Sequence, residues 1–139
     1  MKKRTPISEI MTSDVITLNH TDDLETAERI FKTKKIRHIP VVSGKQIIGM
    51  LSYTDLLRIS FADATDEDDY EVDTTVYNMF TIEQVMAKNL VSVPSATTIK
   101  EVAELLAKKE FHALPVVDNN ELVGIVTTTD LINYLIDQY

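Results

Sequence analysis

Cysteine is absent from this chain of 139 residues. Disulfides, thiolate catalysis and cysteine-held zinc are thereby excluded, and a reducing, cytoplasmic setting fits. No apolar run approaches the roughly 20 residues that a helical membrane span requires, so no membrane partner is expected. Met1-Lys2-Lys3-Arg4 is basic, but it runs into Thr5-Pro6 and not into the apolar core of a signal peptide; it reads as a solvated tail. Lysine and arginine are missing altogether from residues 59–87, where eight acids stand. Those eight account for the whole net charge of −8, because the other 14 acids match the 14 basic residues. The acidity is therefore local to one connection. It argues against DNA or RNA as a partner, since nucleic-acid affinity comes mostly from neutralising phosphates with a basic face.

Catalytic patterns are missing as well. His20, His38 and His112 lack metal-ligand spacing, and no glycine-lysine phosphate loop is present. No serine sits in a nucleophile-elbow context, and no acid pair stands out. Asp66-Glu67-Asp68-Asp69 lacks the spaced ligands and turn glycine of a calcium loop, so no metal is expected there. The chain does not read as an enzyme.

What it does contain is one pattern written twice. Residues 36–56 read IRHIPVVSGKQIIGMLSYTDL, and residues 111–131 read FHALPVVDNNELVGIVTTTDL. Pro40 matches Pro115, Gly49 matches Gly124 and Asp55 matches Asp130, each at an offset of 75. A register held without a gap over that distance means that one supersecondary unit has been used twice.

Both copies predict the same course. Ile7, Ile10 and Met11 give a short helical turn, matched by Ile82, Val85 and Met86. Brief strands follow at 15–18 and 90–93. Leu24, Ala27, Ile30 and Phe31 share one face of a first helix; Ile99, Val102, Ala103 and Leu106 do so in the second copy, behind a Thr98…Glu101 capping-box pattern. Lysines at the ends of these helices suit the negative end of the helix dipole. Two strands then turn at Ser43-Gly44-Lys45 or Asp118-Asn119-Asn120, and closing helices run over 54–59 and 129–136. Pro40 and Pro115 fit strand edges. Each copy is a β-α-β-β-α unit of about 50 residues, too few for a core of its own. The expectation is an α+β fold in which two repeats, 1–59 and 81–139, pack with pseudo-twofold symmetry into one compact module. Residues 60–80 would form an acidic connecting loop that re-docks through Tyr70, Tyr77 and Phe80.

The stretches 49–55 and 124–130 are the candidate binding elements. Each delivers a hydroxyl, Ser52 or Thr127, and a carboxylate, Asp55 or Asp130, to the end of a strand where a helix begins. Such a carboxylate can accept two hydrogen bonds from the vicinal diol of a ribose, and the hydroxyls with the first helical N–H groups can donate to phosphate. Gly49 and Gly124 would let another backbone or a flat base approach. Thr54 and Thr129, or the aspartates beside them, are equally suited to be plain N-caps. Arg37 and His38 can complete an anion site ahead of the first strand pair, whereas the second copy has His112 and Ala113.

Laid out in this way, the chain resembles a tandem pair of CBS domains, the regulatory modules named for cystathionine β-synthase. The I-M-T/A opening, the H-x-x-P or R-H-x-P run into V-V and the G-x-x-S/T-x-x-D ending carry the resemblance over nearly the whole chain. It implies flat dimers and adenosine-containing ligands held in clefts between the repeats. By the resemblance, Asp55 and Asp130 hold ribose, Ser52 and Thr127 help bind phosphate together with Arg37, His38 and His112, and Ile16, Thr17, Val91 and Ser92 line the adenine slot. Ala113 departs from the usual basic position, so a polyphosphate is not expected in the second cleft. The implied function is a sensor of AMP, ADP or ATP, an energy sensor with no catalytic cofactor. It would form a homodimer and act on a separate protein effector, as no effector domain is present. The alternatives are an S-adenosylmethionine-binding regulator and a purely structural dimerisation module.

Overall fold

A computed structural model describes residues 4–63, 77–109 and 111–139. The chain divides into two compact units that do not follow the linear order of the repeats. One joins Met1–Val15 to Val91–Tyr139 and holds both termini; the other is Ile16–Leu90. We call them the terminal and the central unit. Both mix helices with sheet, as an α+β fold does.

In the central unit, β1 (Leu18–Asn19) lies parallel to β2 (His38–Ser43), which pairs antiparallel with β3 (Gln46–Ser52). Helix α1 (Leu24–Lys34) starts at Asp23, whose carboxylate accepts from the Thr26 amide at 2.8 Å and the Thr26 hydroxyl at 2.7 Å. It stops where Lys35 turns left-handed at φ 54°. Leu24, Ala27 and Phe31 are buried and Ile30 is half-buried, as their spacing predicts. Helices α2 (Tyr53–Asp63) and α3 (Ile82–Val85) complete the layer; α3 opens on a capping box between Thr81 and Gln84. Leu18, Ile39, Val41, Leu51, Leu56 and Ile82 form the fully buried centre. Tyr77 is buried in this cluster and Phe80 packs against it. Tyr70 and the acids 66–69 lie outside the described residues.

The terminal unit repeats the plan. A 3-10 turn (Ile7–Glu9), α4 (Ile99–Lys109), β4 (Ala113–Asp118), β5 (Glu121–Thr127) and α5 (Thr128–Asp137) enclose Ile7, Val93, Val102, Leu114, Val116 and Val126. The two hairpins match down to a bulge, with Ile48 and Val123 as the extra residues. Their two-residue turns differ. Asn119 and Asn120 both have positive φ, 51° and 66°, which suits a type I′ turn, whereas only Gly44 does so in the first hairpin.

The strand expected at 90–93 is reduced to a single parallel bridge, Val93 to Val116. In β1 the next rung is the His20 amide donating to the Val42 carbonyl at 3.1 Å. At the equivalent place, the Ser95 amide donates to the Asp118 carboxylate at 3.0 Å, so a side chain takes the ladder's donor. The Ser95 hydroxyl also donates to Asp118, and these two bonds hold its carboxyl below the usual carboxylate range.

Pro115 lies in β4 of a two-stranded sheet, an edge as expected, but Pro40 does not lie on an edge strand. Pro40 lies in β2, the middle strand of its sheet. It is tolerated there because its partner Met50 exchanges hydrogen bonds with Ala87, and β1 begins pairing only at Val41.

The helical openings cross between repeats. Ile7 donates its amide to the Thr97 carbonyl at 2.6 Å, and Thr12 and Ile125 exchange backbone bonds of 2.8 and 2.9 Å. In the central unit, Met50 and Ala87 exchange bonds of 3.0 and 2.9 Å. Each sheet is thus finished by the opening segment of the other linear repeat.

Candidate functional site

Two equivalent stations arise, one in each unit, at the end of the sheet where the second hairpin strand runs into a helix. In the central unit, His38 pairs with Ser52, and the Tyr53 amide donates to the Arg37 carbonyl at 2.9 Å. This draws Arg37 and His38 beside the first turn of α2. In the terminal unit, Ala113 pairs with Thr127, and the Thr128 amide donates to the His112 carbonyl at 3.0 Å. Ile16 and Thr17 directly precede β1, and its parallel register places them at the His38 end of the sheet. Val91 and Ser92 stand likewise before the Val93–Val116 bridge.

Exposure agrees position by position. Ile16 and Val91, His38 and Ala113, Ser52 and Thr127, and Asp55 and Asp130 are half-buried. Thr17 and Ser92, Arg37 and His112, and Thr54 and Thr129 are exposed.

The helix caps fall elsewhere than the sequence suggests. Neither Thr54 nor Thr129 caps a helix. Ser52 accepts from the Asp55 amide at 3.0 Å, and Thr127 accepts from the Asp130 amide at 3.2 Å. Helices α2 and α5 accordingly begin one residue before the expected 54 and 129. The aspartates are third helical residues rather than caps, and the two differ. Asp130 closes a capping box by accepting from the Thr127 amide at 2.9 Å. Asp55 instead faces Arg58, with Oδ1 and Nη1 3.5 Å apart. Arg58 is a residue the motif reading passed over; its i,i+3 spacing from Asp55 is the signal that could have found it.

The glycines are taken by neighbours in their own unit. A β-carbon on Gly49 would collide with the side chain of Met86, and one on Gly124 would fall 2.5 Å from the Met11 sulfur and 3.0 Å from the Thr12 carbonyl oxygen. Close approach is what both glycines allow, as anticipated, but the visitor is a methionine side chain, joined at Gly124 by the Thr12 carbonyl, and not a flat base. An open groove of about 410 Å³ lies elsewhere, on the α4 face between Val93, Thr97 and Glu101–Lys109, and contains none of the expected residues. Among the described residues, no cluster of three or more His, Asp or Glu could hold a metal. No helix among them is long and apolar enough to cross a membrane.

A duplicated α+β unit with a hydroxyl and a carboxylate at each closing helix defines a tandem-repeat module. The profile of the CBS domain family matches residues 7–62 and 82–137, and the chain belongs to that family. Protein MJ1225 of Methanocaldococcus jannaschii is 26% identical over 129 residues, which cover 92% of this chain and 46% of that one. Its solved structure shares the fold with a TM-score of 0.80. This chain thus spans under half of that relative, and 25% and 23% of two further curated relatives. The CBS domain pair of protein MJ0100, solved with 5′-methylthioadenosine and S-adenosyl-L-methionine, has a TM-score of 0.77 at 24% identity, covering 94% of this chain and 99% of that one. CBSX2, solved in complex with AMP, has a TM-score of 0.79 at 20% identity, covering 96% and 98%.

Proposed function

We propose that this CBS pair is a regulatory module that binds adenosine-containing compounds, with nucleotides of the AMP, ADP and ATP class as its ligands. It signals through a change of conformation or of assembly. One observation carries the reading: the hydroxyl, carboxylate and flanking positions recur at a single offset with matching exposure in both units. Capping alone needs Ser52 and Thr127, but it does not need Arg37 and His38 beside them. The complexes of CBSX2 with AMP and of MJ0100 with 5′-methylthioadenosine and S-adenosyl-L-methionine support it, because the same fold accommodates adenosine compounds there. Ile16 with Thr17, and Val91 with Ser92, would border the base. Asp55 and Asp130 would take the ribose, and Ser52, Thr127, Arg37, His38 and His112 the phosphate side. Thr54 and Thr129 would contribute exposed hydroxyls on the first helical turns.

A homodimer fits the same reading. Ile132, Leu135 and Ile136 of α5 are 57%, 46% and 61% exposed, an apolar side that a second copy would cover. A ligand shifts such an assembly only by its different affinities for the two states, and the output passes to a separate protein.

Thermal unfolding in the presence of AMP, ADP, ATP, adenosine and S-adenosylmethionine tests the proposal. A compound binding only the folded chain adds about 2.7 kcal/mol at a hundredfold excess over Kd. No shift with any of the five would leave a structural dimerisation module as the reading. Turnover of a nucleotide would instead make the chain an enzyme.

A further inference from the structure

The two stations match in backbone and exposure, so their differences in charge stand out. In the central unit, Asp55 has Arg58 at 3.5 Å, and Arg37 is held beside the α2 start through its carbonyl. At the matching positions the terminal unit has Asn133 and His112, and Ala113 replaces His38. The central station thus carries two arginines, Arg37 and Arg58, of which Arg58 lies against the Asp55 carboxylate, and the matching terminal positions carry no arginine. Lys34 and Lys109 occupy one register and cancel in the comparison.

The carboxylates are also balanced differently. Asp130 is compensated by its bond from the Thr127 amide, a neutral donor that leaves its charge in place. Asp55 is compensated by a cation whose side chain is 74% exposed. An exposed ion pair of this kind is weak in water, so Arg58 can turn from Asp55 to an incoming anion at little cost. Its planar fork suits phosphate oxygens, and Asn133 carries no charge to offer.

We infer that the two stations divide adenosine ligands by charge, with Arg58 as the residue that sets the difference: the central station takes a phosphorylated nucleoside, and the terminal station takes one with an uncharged 5′ substituent. This rests on the proposed binding of adenosine compounds.

Isothermal titration of the full chain with AMP and with 5′-methylthioadenosine tests it, using the wild type, Arg58→Asn, Asp55→Asn and Asp130→Asn. AMP binding should disappear in Asp55→Asn and persist in Asp130→Asn, and 5′-methylthioadenosine should show the reverse. Arg58→Asn should weaken AMP about tenfold, the size of one lost charge-assisted hydrogen bond, and leave 5′-methylthioadenosine unchanged. Added salt should weaken AMP alone. Because Arg58 is exposed, its variant should fold even if an aspartate variant does not. Equal preferences at both stations, or AMP affinity unmoved by Arg58→Asn, would overturn the inference and leave the proposed function standing. If neither compound binds the wild type, the inference is overturned, and the proposed function falls with it only where ADP, ATP, adenosine and S-adenosylmethionine also fail to bind.

Discussion

Gly49 and Met86 offer a direct measurement of the exchanged openings. The three atoms nearest to a β-carbon on Gly49 all belong to the Met86 side chain, which is 8% exposed. Gly49→Ala should therefore overpack the site and cost about 1–3 kcal/mol. Met86→Ala should cost about 2–5 kcal/mol through the cavity it leaves. In the double variant the new methyl enters that cavity, so the two losses should fall short of their sum by about 1–2 kcal/mol. Urea unfolding followed by far-ultraviolet circular dichroism can resolve this. A loss of 2 kcal/mol moves the midpoint by about 1 M at a slope of about 2 kcal/mol per M. Gly124 provides a control, because the Thr12 carbonyl oxygen lies 3.0 Å from its hypothetical methyl. Backbone cannot be trimmed away, so Met11→Ala should relieve Gly124→Ala only in part. Strict additivity for Gly49 and Met86, with coupling between Gly49 and Met11 instead, would mean that each opening packs on its own linear repeat and would refute the reasoning.

Thr127→Ala removes the α5 cap and should cost about 0.5–2 kcal/mol in urea unfolding, whereas Asp55→Ala should leave the fold intact and abolish ribose-dependent binding at the central station in titration calorimetry. The Ser95 bonds lower the pKa of Asp118, so its contribution to stability is present above the usual carboxylate range and is lost as pH falls through the lowered value. Ser95→Ala removes the hydroxyl bond and should move the Asp118 titration upward by carboxyl NMR and lessen that acid-side loss; an unmoved titration would show that the hydroxyl bond does not form in solution. On α5, Ile132→Asp should preserve circular dichroism and convert a dimer to a monomer by light scattering. A monomeric wild type would remove the dimer from the proposal.

Much of this architecture is legible in the residues because the duplication prints the same local chemistry twice. The period of 75, the apolar faces of α1 and α4, the hairpins and their polar turns follow from side-chain spacing, which helices and strands obey locally. The Thr98 cap is readable for the same reason: its hydroxyl accepts from the Glu101 amide at 3.1 Å, three residues on. Other features depend on groups far apart in the chain. Ser52 and Thr54 are interchangeable hydroxyls to a local reading, and the pairing of His38 with Ser52 selects the first as the helix boundary. Likewise, Ser95 and Asp118 are 23 residues apart, and nothing near either one announces that a carboxylate will take a strand's donor.

The openings make the division plainest. Ile7-Ile10-Met11 and Ile82-Val85-Met86 carry one pattern, and either methionine could fill the space above either glycine. Spacing therefore foretells that such a segment will bury itself against a sheet, but it is silent on which sheet. That choice belongs to long-range backbone pairing, Thr12 with Ile125 and Ala87 with Met50, whose hydrogen bonds have no counterpart in the order of side chains.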